Sequence, residues 1–266
     1  MLTPRRRTAA LLTACLTLCL VLLGLRAPAP AQAAVPARAA VPARAAVPGQ
    51  AAVPAQAFGP APAFGPAASA HRPVVLVHGY NADPGVWGSL RAELRAAGYA
   101  DSELFSWGYD THRSVNEVLA GQLGAYVDQV RRQTGAAEVD IVAHSFGSLV
   151  SRWYVKYGGG SASVAHWASL AGPNHGTSTA WACALWDQAC RDMTPGSYVV
   201  KNLNSGDETP GAVKYAAFWS NCDEVVNPDS SVALAGAANT PVGCLKHNDL
   251  LGDGVTAAGV RAFLAS

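Results

Sequence analysis

The stretch EVDIVAHSFGSLVSRWYV, residues 138–155, constrains the fold of this chain more than any other. Val139 to Ala143 is an apolar run of strand length, and Phe146 to Tyr157 reads as a helix. Only a corner, Ala143-His144-Ser145-Phe146-Gly147, separates the two. A serine there is either an ordinary helix N-cap, accepting a backbone N–H bond, or a hydroxyl presented at a sharp turn. The small residues two before and two after it suit a strand and a helix that pass very close together.

The same alternation continues along the chain. Pro73 to Val77 is a short apolar run ending at His78-Gly79, as expected of a buried strand. A helix is expected over Val86 to Ala97, stopped by Gly98, and a second strand over Leu104 to Trp107. Ser114-Val115-Asn116-Glu117 has capping-box spacing, and Val115, Leu119, Tyr126, Val127 and Val130 follow on one helical face. Further strands are expected at Val164 to Leu170, Val213 to Phe218 and Thr240 to Val242, with a closing helix over Val255 to Leu264. Strands alternating with helices imply an α/β fold, a mainly parallel sheet with helices on both faces. In such sheets functional residues gather beyond the carboxyl ends of the strands, and the motifs below follow predicted strands.

The start of the chain is of another kind. Arg5, Arg6 and Arg7 precede an apolar stretch from Ala9 to Leu25, and Ala31-Gln32-Ala33 offers a cleavage site, so residues 1–33 read as a signal peptide. A retained membrane anchor is the alternative, because the apolar stretch lies near the lower limit for a span. Residues 34–70 form an Ala/Pro-rich repeat linker (AAVPAR, AAVPAR, AAVPGQ, AAVPAQ, AFGPAP, AFGPAA) whose regular prolines exclude a continuous helix. With so few large side chains it is expected to be disordered, either a spacer or a pro-segment that is cleaved off. Residues 71–266 then suffice for one α/β domain. They carry 13 basic and 18 acidic residues, a net charge of about −5, which leaves no electrostatic footprint for nucleic acid.

Ala143 and Gly147 meet the steric demand of a nucleophile elbow, with alanine in the first position of the usual G-x-S-x-G pattern. Together with Val77-His78-Gly79-Tyr80 after the first strand, this corner resembles that of small secreted α/β-hydrolase lipases. The resemblance is to the bacterial group called lipase class 2, in which A-H-S-x-G replaces G-x-S-x-G, and it covers roughly residues 72–264. It implies a minimal α/β-hydrolase fold and a Ser-acid-His triad in that chain order. Three histidines follow Ser145. His166 falls inside a predicted strand. His175 follows a strand, with too little chain before it to supply the acid. His247, after the last predicted strand, is the expected base. Among the acids between Ser145 and His247, Asp223 follows the strand ending near Trp219, as the family's Asp-x-x-Val segment does. Asp229 is its main rival, and Glu224 reads as a solvated neighbour. Asp249 and Asp253 read as supporting or surface groups. The oxyanion donors implied are the N–H groups of Phe146, after the nucleophile, and of Tyr80, after His-Gly.

Four cysteines lie in the domain: Cys183, Cys190, Cys222 and Cys244. An even number in an exported chain favours disulfides, and paired Cys-x-x-Cys zinc spacing is absent. Of three pairings, the expected one joins Cys183 to Cys190 within one loop and Cys222 to Cys244 beside the proposed acid and base. Trp181 to Cys190 is an apolar loop with two tryptophans, readable as an acyl-chain wall, a small lid, or a disulfide-held surface loop. The expectation is thus a secreted, monomeric ester hydrolase acting on lipids or other esters, a triacylglycerol lipase/esterase working through an acyl-enzyme, at an oil–water interface for a lipase, with no cofactor or metal. A cutinase-like polyester hydrolase and an acyltransferase are the alternative enzymes, and a non-catalytic binding protein the alternative class.

Overall fold

The computed structural model describes residues 71–112 and 115–266. The expected signal peptide, the repeat linker and Ser114 lie outside the described residues. The first strand, β1 (Val74–Val77), has all four side chains buried. Such a strand must be covered on both faces, and valine's branched Cβ suits its extended backbone. A 3-10 turn, Pro84–Trp87, runs into α1 (Gly88–Ala96), and Asp83 caps that turn by accepting the N–H of Gly85. Gly98, at φ +100°, takes the left-handed conformation that ends the helical stretch. Then come β2 (Leu104–Trp107), α2 (Asn116–Thr134), β3 (Val139–His144) and α3 (Phe146–Tyr157). These are followed by β4 (Val164–Leu170), α4 (Gln188–Met193), α5 (Tyr198–Leu203), β5 (Lys214–Trp219), β6 (Ala238–Pro241) and α6 (Gly254–Leu264).

Six parallel strands form one sheet in the order β2-β1-β3-β4-β5-β6. Alternate residues of each strand feed opposite cores, as the period of two requires. Val75, Val77, Ile141 and Ala143 pack with α2, α3 and α5 through Leu123, Val127, Leu149, Val150 and Leu203. Val74, Leu76, Val142 and Leu170 pack on the other face with α1 and α6 through Leu90, Leu94, Val260 and Leu264. Inside the sheet, Asp140 of β3 and His166 of β4 make a buried 2.8 Å pair, so His166 is a framework residue.

Three expectations shift. The last strand is Ala238–Pro241 rather than Thr240 to Val242, because it lies at the sheet edge with all four residues exposed while Val242 turns into the core. The second helix starts at Asn116 with Val115 in the cap position, and its first N–H donates 3.1 Å to Asp192. Finally, α4 and α5 are short helices within what reads as loop, started by the side chains of Asp187 and Ser197.

Register places the site. Val77 pairs with Ala143, His144 with Leu170, and Leu170 with Phe218. The carboxyl ends of the four central strands are therefore flush, and residues 78–81, 145–147, 171–177 and 220–226 leave the sheet side by side.

Candidate active site

Ser145 stands between β3 and α3 with φ 52° and ψ −128°, a left-handed backbone that a residue with a Cβ rarely adopts. Such strain costs on the order of 1–3 kcal/mol and persists where surroundings over-determine it. Here the Ser145 N–H donates to Leu170 (3.0 Å), and its carbonyl accepts from Ser148 (2.9 Å). The hydroxyl makes no capping bond to the helix it precedes. Ser145 therefore holds the N-cap position of α3 without capping it through its side chain.

The neighbouring glycines explain the tight turn. A Cβ on Gly147 would lie 2.4 Å from the carbonyl oxygen of His78 and 2.5 Å from that of Val77. One on Gly79 would lie 2.8 Å from Cβ of Ser145. The segment after β1 thus presses directly on the serine corner.

Asp223 and His247 meet across 24 residues: Nδ1–H of His247 donates to both carboxylate oxygens, at 2.9 and 3.1 Å. Burial alone would raise the Asp223 pKa. The hydrogen bond and charge of His247, with the N–H groups of Val226 and Val225, outweigh that and hold it below the ordinary carboxylate value. His144, fully enclosed, is pushed down to about 3 by burial and then by the nearby His247, so it stays neutral while its Nε2–H donates to the His247 carbonyl (3.3 Å). Ser145 and His247 line one cavity of about 660 Å³ with Gly79 and Tyr80, and its walls are mostly apolar, including Val86, Met193, Val225 and Leu251.

The remaining acids and histidines take other places. His175 is held by Glu208 (2.9 Å) and by the Ser231 carbonyl (3.1 Å). Asp229 accepts the N–H of Ser230, and Asp253 caps α6. Glu224 does more than meet solvent: its Oε2 accepts the backbone N–H of His247 at 3.1 Å. Sequence reasoning passed over Asp187 and His112. Asp187 accepts bonds from the Tyr80 hydroxyl (3.0 Å) and His112 Nδ1 (2.6 Å), pairings 107 and 75 residues apart that leave no local signal. These bonds and the Cys190 N–H outweigh the effect of burial and lower the Asp187 pKa, while burial and Asp187 push the Tyr80 phenol up to about 12.

Disulfides join Cys183 to Cys190 (Cα–Cα 5.7 Å) and Cys222 to Cys244 (Cα–Cα 4.8 Å). In the Trp181 to Cys190 loop, Cys183 and Cys190 line the cavity, but Trp181, Leu185 and Trp186 are 61%, 89% and 73% exposed. The large apolar side chains therefore face solvent rather than forming an acyl wall. Among the described residues, no group of three His, Cys, Asp or Glu is arranged to hold a metal, and no helix is long and apolar enough to cross a membrane.

A parallel sheet carrying a strained serine between strand and helix, with a histidine and its carboxylate partner on later strand ends, defines an α/β-hydrolase. The family model for lipase (class 2) matches residues 71–247, and the chain belongs to that family: it is a serine ester hydrolase of the lipase/esterase type. Among solved structures it is similar to the mature form of Bacillus licheniformis lipase BlEst2 (17% identity, TM-score 0.64, 74% of this chain and 93% of that chain). It is also similar to Aspergillus fumigatus lipase B (18%, 0.64, 74% and 53%) and to the esterase RhEst1 from Rhodococcus sp. ECU1013 (17%, 0.53, 74% and 91%). At these identities the likeness shows the fold.

Proposed function

We propose that the protein is an exported lipase or esterase that cleaves carboxylic esters through an acyl-enzyme on Ser145, with His247 as base and Asp223 as its orienting acid. The observation that carries this is the hydrogen bond between Asp223 and His247, whose imidazole lines the same cavity as the uncapped Ser145. Asp223 holds the Nδ1–H tautomer, leaving Nε2 of His247 free to take the Ser145 proton as Oγ attacks the ester carbonyl carbon. The carbonyl π pair moves to oxygen, and the oxyanion meets the N–H groups of Phe146 and Tyr80. As the first residue of α3, Phe146 has no acceptor within the helix for its N–H. The proton passes from His247 to the alkoxy oxygen as the C–O bond breaks, releasing alcohol and leaving acyl-Ser145. Water, losing a proton to His247, then attacks the acyl carbon; as the acyl C–Oγ bond breaks, His247 returns that proton to Ser145 Oγ, releasing the acid and restoring the serine. Asp223 stays ionised throughout, as its lowered pKa favours.

The apolar cavity walls favour an acyl chain as the bound group. Exposed Trp181, Leu185 and Trp186 beside that cavity favour approach to an oil–water interface, where tryptophan's amphipathic ring is well placed. Two disulfides fit an oxidising compartment, and hence export by the leader of residues 1–33 and release past the linker of residues 34–70. All the proposed groups come from one chain, as a monomeric enzyme requires. Ser145→Ala tests the assignment: ester turnover falls roughly 10³-fold or more, and a fluorophosphonate probe labels the wild type alone. A purified, folded variant keeping more than a tenth of wild-type turnover refutes it.

A further inference from the structure

Residues 78–81 contain the proposed oxyanion donor, and they are held from outside the sheet at four points. The Tyr109 hydroxyl donates to the His78 carbonyl at 2.7 Å. The Asn81 N–H donates to Thr111 Oγ1 at 3.2 Å, and His112 Nε2 lies 2.8 Å from the Asn81 side-chain oxygen. The Tyr80 hydroxyl donates to Asp187 at 3.0 Å. Asn81 itself sits at φ +57°, a left-handed conformation that needs such support.

Asp187 is the member of this set that belongs to another part of the chain. It is 8% exposed and lies within the loop closed by Cys183–Cys190. Its two oxygens have separate tasks. Oδ1 accepts the N–H of Cys190 at 3.2 Å and starts α4. Oδ2 accepts both the Tyr80 hydroxyl and His112 Nδ1–H. A helix cap uses only the first oxygen, so capping leaves the second unexplained. Through it, one carboxylate joins three segments: the turn after β1, the β2–α2 connection and the disulfide loop. Tyr80, Cys183 and Cys190 all line the cavity, so the tie runs between parts of its own wall.

Resting on the acyl-enzyme reading above, we infer that Asp187 is a positioning residue for the oxyanion site: its bond to the Tyr80 hydroxyl fixes the backbone N–H of Tyr80 relative to Ser145. The disulfide loop then serves catalysis by presenting this carboxylate, apart from any contact with substrate. Asp187 and the Tyr80 hydroxyl touch no reacting atom, so their effect is on the rate of the chemical step rather than on ground-state binding.

Two variants remove the bond, and Asp187→Ser removes the His112 contact with it. Tyr80→Phe removes the hydroxyl and keeps the ring and the N–H. Asp187→Ser keeps an N-cap acceptor for Cys190 on a side chain too short to reach Tyr80. On a soluble short-chain ester, each lowers kcat about 10- to 100-fold with KM within about twofold, short of the 10²–10³ lost when an oxyanion donor is removed outright. The double variant falls no further than the weaker single, because both remove the same bond. Inhibition by an alkylboronic acid, which becomes tetrahedral on the serine, weakens in proportion to kcat. A kcat within twofold of wild type in both single variants, a loss confined to KM or to thermal midpoint, or multiplicative losses in the double variant overturn the positioning role. Ser145→Ala, run alongside, separates the two claims. If it is inactive while Tyr80→Phe and Asp187→Ser are unimpaired, only the positioning role fails. If it stays active, both readings fail.

Discussion

The carboxylate of Asp223 grips Nδ1–H of His247 with both oxygens, and its Oδ1 also takes the N–H groups of Val225 and Val226 at 2.8 and 2.9 Å. The acid is thus fixed by its own turn before it orients the imidazole. Asp223→Asn keeps that turn's acceptor but offers an amide to the ring, favouring the wrong tautomer. Ester turnover should fall by roughly 10³–10⁴-fold, while Asp229→Asn changes it less than twofold. Steady-state kinetics of the two variants decides between these acids.

His247→Ala should lose as much as Ser145→Ala, about 10³-fold, since the two act as a unit. His175→Ala should cost less than about tenfold, because His175 is tied to Glu208 and Ser231. Equal inactivation by both, with folding intact, would count against His247 as the base.

Gly147→Ala should destabilise the fold by about 1–3 kcal/mol, because the added methyl meets two backbone carbonyls of the β1 end that have little room to yield. Urea unfolding measures it. A variant as stable as wild type would mean the β1 end moves aside, and the elbow would then be less tightly built than its geometry indicates.

Asp192, 6% exposed, has its pKa raised to about 6 by burial, despite hydrogen bonds from Gln188 and Asn116. A carboxyl raised above its unfolded value of about 3.9 favours folding when protonated. That contribution is present below about pH 4 and is lost as pH rises through 6, by roughly 3 kcal/mol at most. Asp192→Asn should therefore gain stability relative to wild type between pH 4 and pH 8. Chemical denaturation at the two pH values checks this, and a constant difference would contradict it.

The bridge Cys222–Cys244 joins positions 22 apart in sequence, and next to it Ser220 Oγ donates to the Leu245 carbonyl (2.6 Å) and accepts the Leu245 N–H (2.7 Å). Acid turn and histidine loop are laced together at both points. A Cys222→Ser/Cys244→Ser variant should lose about 3 kcal/mol of stability. At temperatures where it stays folded, turnover of short esters should fall several-fold, because small misplacements of reacting groups are costly. Normal turnover would make the bridge purely structural.

The apolar strands and the serine corner were legible because their signals are local. Three buried valines and a leucine in β1, and small residues around Ser145, state their environment within five positions. The edge strand β6 was misplaced because an exposed strand needs no apolar pattern, and Val242 supplied one just beyond it. The short helices α4 and α5 escaped because each spans six residues, too few for periodicity to show. Chain order and family likeness pointed to Asp223 and His247. The Asp187–Tyr80–His112 cluster was invisible, since it rests on side chains far apart in sequence.

The lacing at Cys222–Cys244 also bears on how the protein responds to proteases. The intervening chain passes through exposed positions at Ala235, Gly236 and Ala238, where a protease has access. A cut there leaves the Asp223 and His247 segments covalently joined, so the nicked molecule migrates as one species without reductant and as two with it. Breakage of the peptide backbone in this stretch and separation of the Asp223 and His247 segments are therefore different events, and the second requires a reducing environment.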